Sequence, residues 1–126
     1  MSKPLAVIIE DQQLLSEAFA DALEMVGYDT HIVADGRLAM EQLGTLIPTL
    51  IVLDMNLPHV SGHYILKHLC ADARLSPVPV IIATANSILA DAVKRDMRSQ
   101  DYLFVKPVRM SELQEIAKSI MASRMA

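Results

Sequence analysis

Cysteine is nearly absent: Cys70 stands alone. One thiol cannot close an intramolecular disulfide, and it cannot build a multi-cysteine metal cage. Long hydrophobic runs are missing too. The unbroken apolar stretches are a few residues each, far from the roughly 20 that cross a bilayer. The opening Met-Ser-Lys-Pro-Leu segment has no apolar stretch of the kind a secretory signal carries. Positive charge is in deficit, with 11 Lys and Arg against 15 Asp and Glu and a formal charge of −4. That balance argues against direct binding of nucleic acid. No internal repeat, linker or low-complexity segment interrupts the chain. What is there is a globular mixture, 52% apolar and 21% charged over 126 residues. The length fits one domain over residues 1–126, and a soluble cytoplasmic protein is expected.

Short apolar runs alternate with longer amphipathic stretches. Leu5–Ile9, Leu50–Leu53 and Val78–Ala83 are apolar at nearly every position, as in parallel strands buried on both faces. Tyr28–Val33 alternates more, with Tyr28, Thr30 and Ile32 on one side, which suits an edge strand. Tyr102–Val105 is a fifth run. Between them, helical spacing is carried by Leu14, Leu15, Ala18, Phe19, Ala22, Leu23 and Val26, stopped by Gly27. Asp35 is placed to cap a short second helix that Gly44 ends. Tyr64–Cys70 and Ile88–Val93 mark the third and fourth helices. Ser111-Glu112-Leu113-Gln114 has a capping-box pattern for the last. Five strand–helix units predict an open parallel α/β sheet with helices on both faces.

In such sheets the binding crevice lies beyond the carboxyl ends of the strands. Glu10 and Asp11 follow the first run, and Asp54 closes the third with Asn56 two residues on. Thr84 closes the fourth, and Lys106 follows the fifth with Pro107 next. The topology therefore gathers three carboxylates, a hydroxyl and an ammonium in one place. Two carboxylates about 4 Å apart repel by roughly 4 kcal/mol at an effective dielectric near 20. Lys106 offsets one charge. A hard divalent ion with oxygen ligands would offset the rest, and Mg²⁺ suits a few carboxylates plus retained waters. Thr84 and Lys106 supply donors for an anion. The set suits phosphoryl transfer, in which a carboxylate can itself be the nucleophile. Each residue alone also reads more simply: Asp11 or Thr84 could just as well cap the next helix.

In order and spacing these motifs resemble the receiver domains of two-component response regulators, over about Leu5 to Ala122. The carriers are Val7-Ile8-Ile9-Glu10-Asp11, then Asp54-Met55-Asn56-Leu57-Pro58 with Gly62, then Thr84-Ala85, and then Lys106-Pro107. The resemblance implies a flavodoxin-like sheet of order 2-1-3-4-5. It implies that Asp54 accepts a phosphoryl group from a sensor histidine kinase or a phosphotransfer protein. Mg²⁺ would be held by Asp11, Asp54 and the backbone carbonyl of Asn56. Glu10, where the family more often has Asp, would act through a water. Thr84 and Lys106 would bind the phosphoryl oxygens, and Lys106-Pro107 is expected to be cis. Phosphorylation would draw in Thr84, Ala85 and Asn86 and alter the face formed by the fourth helix, fifth strand and fifth helix. The output would be a protein partner or domain not in this chain, or a second copy as a homodimer formed on activation. Neither nucleic acid nor membrane would be bound directly, and the domain would be a switch more than an enzyme.

The chain departs from the family at one point. The family's usual aromatic, three residues before the lysine, is Leu103 here, flanked by Tyr102 and Phe104, and Arg98-Ser99-Gln100 replaces a Gly-Ala turn. Either a local bulge brings a neighbouring aromatic into place or the aromatic switch is absent. Asn56 and Asn86 could orient water at the crevice. The histidines His31, His59, His63 and His68 are expected at the surface, and the charges Lys94, Arg95, Asp96, Arg98 and Asp101 read as a solvated face. Two alternatives remain. One is a Mg²⁺-dependent aspartyl-phosphate phosphatase of the haloacid-dehalogenase type. The other is a degenerate receiver that only binds protein.

Overall fold

A computed structural model describes residues 3–125. The element order is β1 (Leu5–Ile9), α1 (Gln13–Met25), β2 (Asp29–Val33), α2 (Gly36–Gln42), β3 (Leu50–Asp54), α3 (Gly62–Ala71), β4 (Val80–Thr84), α4 (Ser87–Lys94), β5 (Tyr102–Val105) and α5 (Met110–Met125). The strands form one parallel sheet in the order β2-β1-β3-β4-β5, as the resemblance implied.

The apolar runs are continuous because both faces of the central strands are covered. Val7, Ile9, Ile51, Leu53, Val80 and Ile82 point to one face and pack with Ala39 of α2, Leu66 and Leu69 of α3 and Val93 of α4. Ala6, Ile8, Leu50, Val52 and Ile81 point to the other and pack with Phe19 and Leu23 of α1 and Leu113 and Ala117 of α5. The period of two along each strand thus sorts the side chains into two cores. On the second face the Tyr28 hydroxyl donates to the Ala117 carbonyl at 2.6 Å, and the Gln114 amide donates to the Ala22 carbonyl at 3.0 Å.

β2 lies at the sheet edge, as its alternation predicts, but Tyr28 precedes it and Ile32 is half-exposed while Val33 is buried. Gly27 follows α1 with φ +106°, a conformation that glycine adopts without a side-chain clash. Asp35 does cap α2, accepting from the Arg37 N–H at 2.8 Å. The capping box does not form. α5 starts at Met110, so Ser111 is already inside the helix, and Gln114 reaches across to α1 instead.

Of the charges expected on a solvated face, Lys94 and Arg95 are exposed and Asp96 is partly so, but Arg98 and Asp101 are drawn into the interior. The Asp101 side chain is fully buried and accepts from the Val80 N–H at 3.0 Å and the Arg98 N–H at 2.9 Å. The Arg98 guanidinium binds the same carboxylate and the carbonyls of Ser76 and Val78. This network joins the segment before β4 to the segment before β5. It stands where a Gly-Ala turn was missing from the sequence. His63, half-buried, bonds to Asp96, which ties α3 to the end of α4.

Candidate functional site

Each residue at the crevice is delivered by the end of a strand. Glu10 follows β1, and its N–H bonds to the Val33 carbonyl of β2 at 3.1 Å. Asp54 ends β3, paired with Ala83 of β4. Thr84 ends β4, and its carbonyl accepts from the Lys106 N–H at 2.8 Å. Parallel pairing in register therefore aligns four strand ends at one level.

Glu10 and Asp54 are 1% and 2% exposed. Asp11 is exposed at the rim. One carboxylate oxygen from each of the three lies within 4.8 Å of the others. The Lys106 ammonium sits between the two buried acids, 3.2 Å from Glu10 Oε1 and 3.3 Å from Asp54 Oδ1. The Gln12 N–H donates to Glu10 Oε2 at 3.2 Å, and the Asn56 N–H donates to Asp54 Oδ1 at 3.0 Å. Burial, reinforced by the neighbouring Asp54, pushes the Glu10 pKa up to about 7 against the opposing pull of the Gln12 N–H and Lys106. Three carboxylates and one ammonium leave an excess of negative charge with only oxygen donors facing it. That donor set fits a hard divalent cation.

Thr84 is fully buried. Its hydroxyl lies 3.4 Å from Asn56 Oδ1 and accepts from the Asn86 N–H at 3.2 Å. Neither Asp11 nor Thr84 is a helix cap: Gln12 precedes α1, and Asn86 caps α4 through Oδ1, accepting from the Ile88 and Leu89 N–H groups. The Asn86 side chain is thus committed to the helix and not to the crevice. Ala85 is exposed between Thr84 and Asn86. The Lys106-Pro107 bond is cis.

Tyr102 and Leu103 are not at the crevice. β5 pairs with β4 without a bulge, from Ile81 opposite Tyr102 to Thr84 opposite Val105. Leu103 packs into the core on the α3 and α4 side, while Tyr102 and Phe104 pack on the α1 and α5 side. The bulge that would exchange them does not occur.

Gly62, quoted in the sequence only as part of a motif, has a definite task. A Cβ there would lie 2.5 Å from the Asp54 carbonyl oxygen and 2.6 Å from the Met55 Cα. The start of α3 rests directly on the backbone that carries Asp54, and only glycine permits that approach.

The family described as response regulator receiver domain matches residues 6–118. The chain belongs to that family. Among relatives of this receiver, the DNA-binding dual master transcriptional regulator RpaA of Synechocystis is 34% identical over 111 residues, covering 87% of this chain and 46% of RpaA. The polar-differentiation response regulator DivK of Brucella ovis is 32% identical over 113 residues, covering 90% of this chain and 92% of DivK. The chain spans about half the length of RpaA and of the Synechocystis response regulator Rre1, at 46% and 55%. Its fold matches the crystal structure of the receiver domain of sensor histidine kinase PA1611 from Pseudomonas aeruginosa, with a TM-score of 0.83 and 24% identity over 96% of this chain and 99% of that one. That structure has a magnesium ion coordinated in its active-site cleft. Among the described residues of this receiver, no helix is long and apolar enough to cross a membrane.

Proposed function

We propose that this receiver accepts a phosphoryl group on Asp54 in a Mg²⁺-dependent reaction, and so acts as a cytoplasmic switch. The observation that carries the reading is the convergence of the Glu10, Asp11 and Asp54 carboxylates, with Lys106 bridging the two buried ones. Asp11, Asp54 and the Asn56 carbonyl would hold the ion, with Glu10 acting through water. The magnesium in the cleft of the PA1611 receiver is in accord with this. When bound, the ion supplies charge neutralisation for the transferring phosphoryl oxygens.

A carboxylate oxygen of Asp54 attacks phosphorus, forming a P–O bond as the donor's P–N bond breaks and its electron pair returns to the imidazole nitrogen. Lys106 is near enough to Asp54 to compensate the phosphoryl charge that then develops. Thr84 offers a hydroxyl from a water-free position. The Thr84 hydroxyl also accepts from the Asn86 N–H, and Asn86 caps α4. Movement of Thr84 toward a phosphoryl oxygen would therefore reach the first turn of α4 without any aromatic on β5. This is a population shift driven by one local charge change.

A histidine kinase or phosphotransfer protein would approach beside Lys106. An open hollow of about 650 Å³ there is lined by Leu14, Leu15, Pro107 and Val108, and Leu14 is 85% exposed. Exposed Ile88 of α4 and Val105 of β5 offer apolar surface to an output partner or a second copy. The phosphatase alternative is disfavoured because the residue two after Asp54 is Asn56, which cannot serve as an acid–base carboxylate.

Incubation with Mg²⁺ and acetyl phosphate, followed by intact mass measurement, tests the proposal. Wild type should gain one phosphoryl group and Asp54→Asn none. An unmodified wild type, with acetyl phosphate and with kinases offered, would leave the degenerate protein-binding receiver. Rapid multiple turnover of phosphate esters would favour the phosphatase.

A further inference from the structure

The sheet has a second recessed site, at the end away from Asp54. A wide-mouthed cavity of about 520 Å³ lies where the segments leading into β3, β4 and β5 meet the last turns of α5. That volume is in the range of small-molecule sites. Val78, Tyr102 and Ile120 give it an apolar floor, with exposed Ile47 lining it as well and Pro48, Pro77 and Pro79 framing it. Prolines at three positions restrict the backbone around it, so the shape is largely preformed.

The charge around this cavity is opposite in sign to the rest of the molecule. The chain carries a formal charge of −4, yet none of the described residues lining the cavity is acidic, and two are arginines. Arg74 is anchored at the rim by the carbonyls of Leu43 and Leu46, with Asp72 4.0 Å from its guanidinium outside the lining. Arg124 is exposed and makes no ion pair among the described residues. Ser119 and Ser123 are one helical turn apart on α5 and line the cavity beside it. Tyr102 joins them from the sheet, which gives a place to the aromatic that the crevice does not use.

We propose that this cavity is a binding site for an amphipathic organic anion. A flat or short aliphatic body would cover Ile47, Val78 and Ile120 and lie against the Tyr102 ring. A single acidic head, carboxylate or phosphate, would face Arg124 and the serine hydroxyls. The guanidinium offers a planar fork of donors that matches either head. Binding there needs nothing from Asp54, so this inference stands or falls apart from the phosphoacceptor reading.

An amide NMR titration with 1-naphthoate tests it, using the neutral 1-naphthalenemethanol as the matched control. Saturable shifts should centre on Ile47, Val78, Tyr102 and Ile120, and the acid should bind more tightly than the alcohol. Arg124→Gln, on an exposed position that leaves the fold intact, should weaken naphthoate about five-fold and leave the alcohol unchanged. The same pattern should persist in Asp54→Asn. Equal binding of acid and alcohol would overturn the proposal, as would shifts centred on Leu14 and Lys106 or none that saturate. A short acidic peptide that binds these residues far more tightly than naphthoate would replace it with a peptide site.

Discussion

Glu10 is a carboxylate almost without water, and its environment sets a pH dependence. Its pKa rises from 4.5 to about 7 in the folded chain, chiefly through burial. Between those values the folded state binds more protons than the unfolded one. The contribution of Glu10 therefore favours folding at low pH, falls as pH rises through that window, and is a constant penalty above about 7. In EDTA at pH 8, Glu10→Gln should be more stable to thermal unfolding than wild type, by on the order of 2 kcal/mol, and lose that advantage near pH 4.5. Parallel thermal curves for the two proteins across this range would refute the assignment. Gly62 sets a steric limit at the same site. Its alanine variant would press a methyl into the Asp54 carbonyl and the Met55 Cα, both backbone. We expect a loss of about 1–3 kcal/mol in urea unfolding, together with slower phosphorylation of Asp54.

At the scale of elements, α4 has eight residues and depends on its cap. Asn86 Oδ1 accepts from two first-turn N–H groups. Asn86→Ala should cost about 1 kcal/mol and speed amide exchange in α4, while Asn86→Ser should retain most of the stability. If the alanine variant matched wild type in both measurements, Asn86 would not link Thr84 to α4. The link between the segments before β4 and β5 is stronger. Asp101 accepts the Val80 N–H and several Arg98 donors inside the protein. Asp101→Ala strands a guanidinium and two backbone N–H groups, those of Val80 and Arg98, and should cost about 3 kcal/mol in denaturant titration.

For the whole molecule, the crevice links stability to divalent cations. An ion that binds only the folded chain adds RT ln(1 + [L]/Kd), about 2.7 kcal/mol at one hundred times Kd. The melting temperature of wild type should therefore climb with Mg²⁺ at pH 8, where Glu10 is mostly ionised. Asp11→Ala and Asp54→Asn should respond far less. An equal rise in all three would place the ion elsewhere. The same crevice also accounts for part of the net negative charge, since three of the 15 acids gather there.

The sequence by itself determined the order of elements, because continuous apolar runs and helical spacing are local patterns. It also determined which residues the crevice would gather, because parallel strands bring their carboxyl ends to one level. Only the tertiary structure decided what each polar side chain touches. Arg98 and Asp101 look like surface charges until the segments before β4 and β5 close around them. Asn86 looks like a crevice residue until its amide is seen on α4. The apparent capping box at Ser111 lost to a start of α5 one residue earlier, and Leu103 kept its inward position because β5 pairs without a bulge. In each case the deciding partner is distant in sequence or set by backbone register, and neither is written in the local pattern. The basic cavity beneath the sheet is the plainest example, since its walls come from four separate segments of the chain.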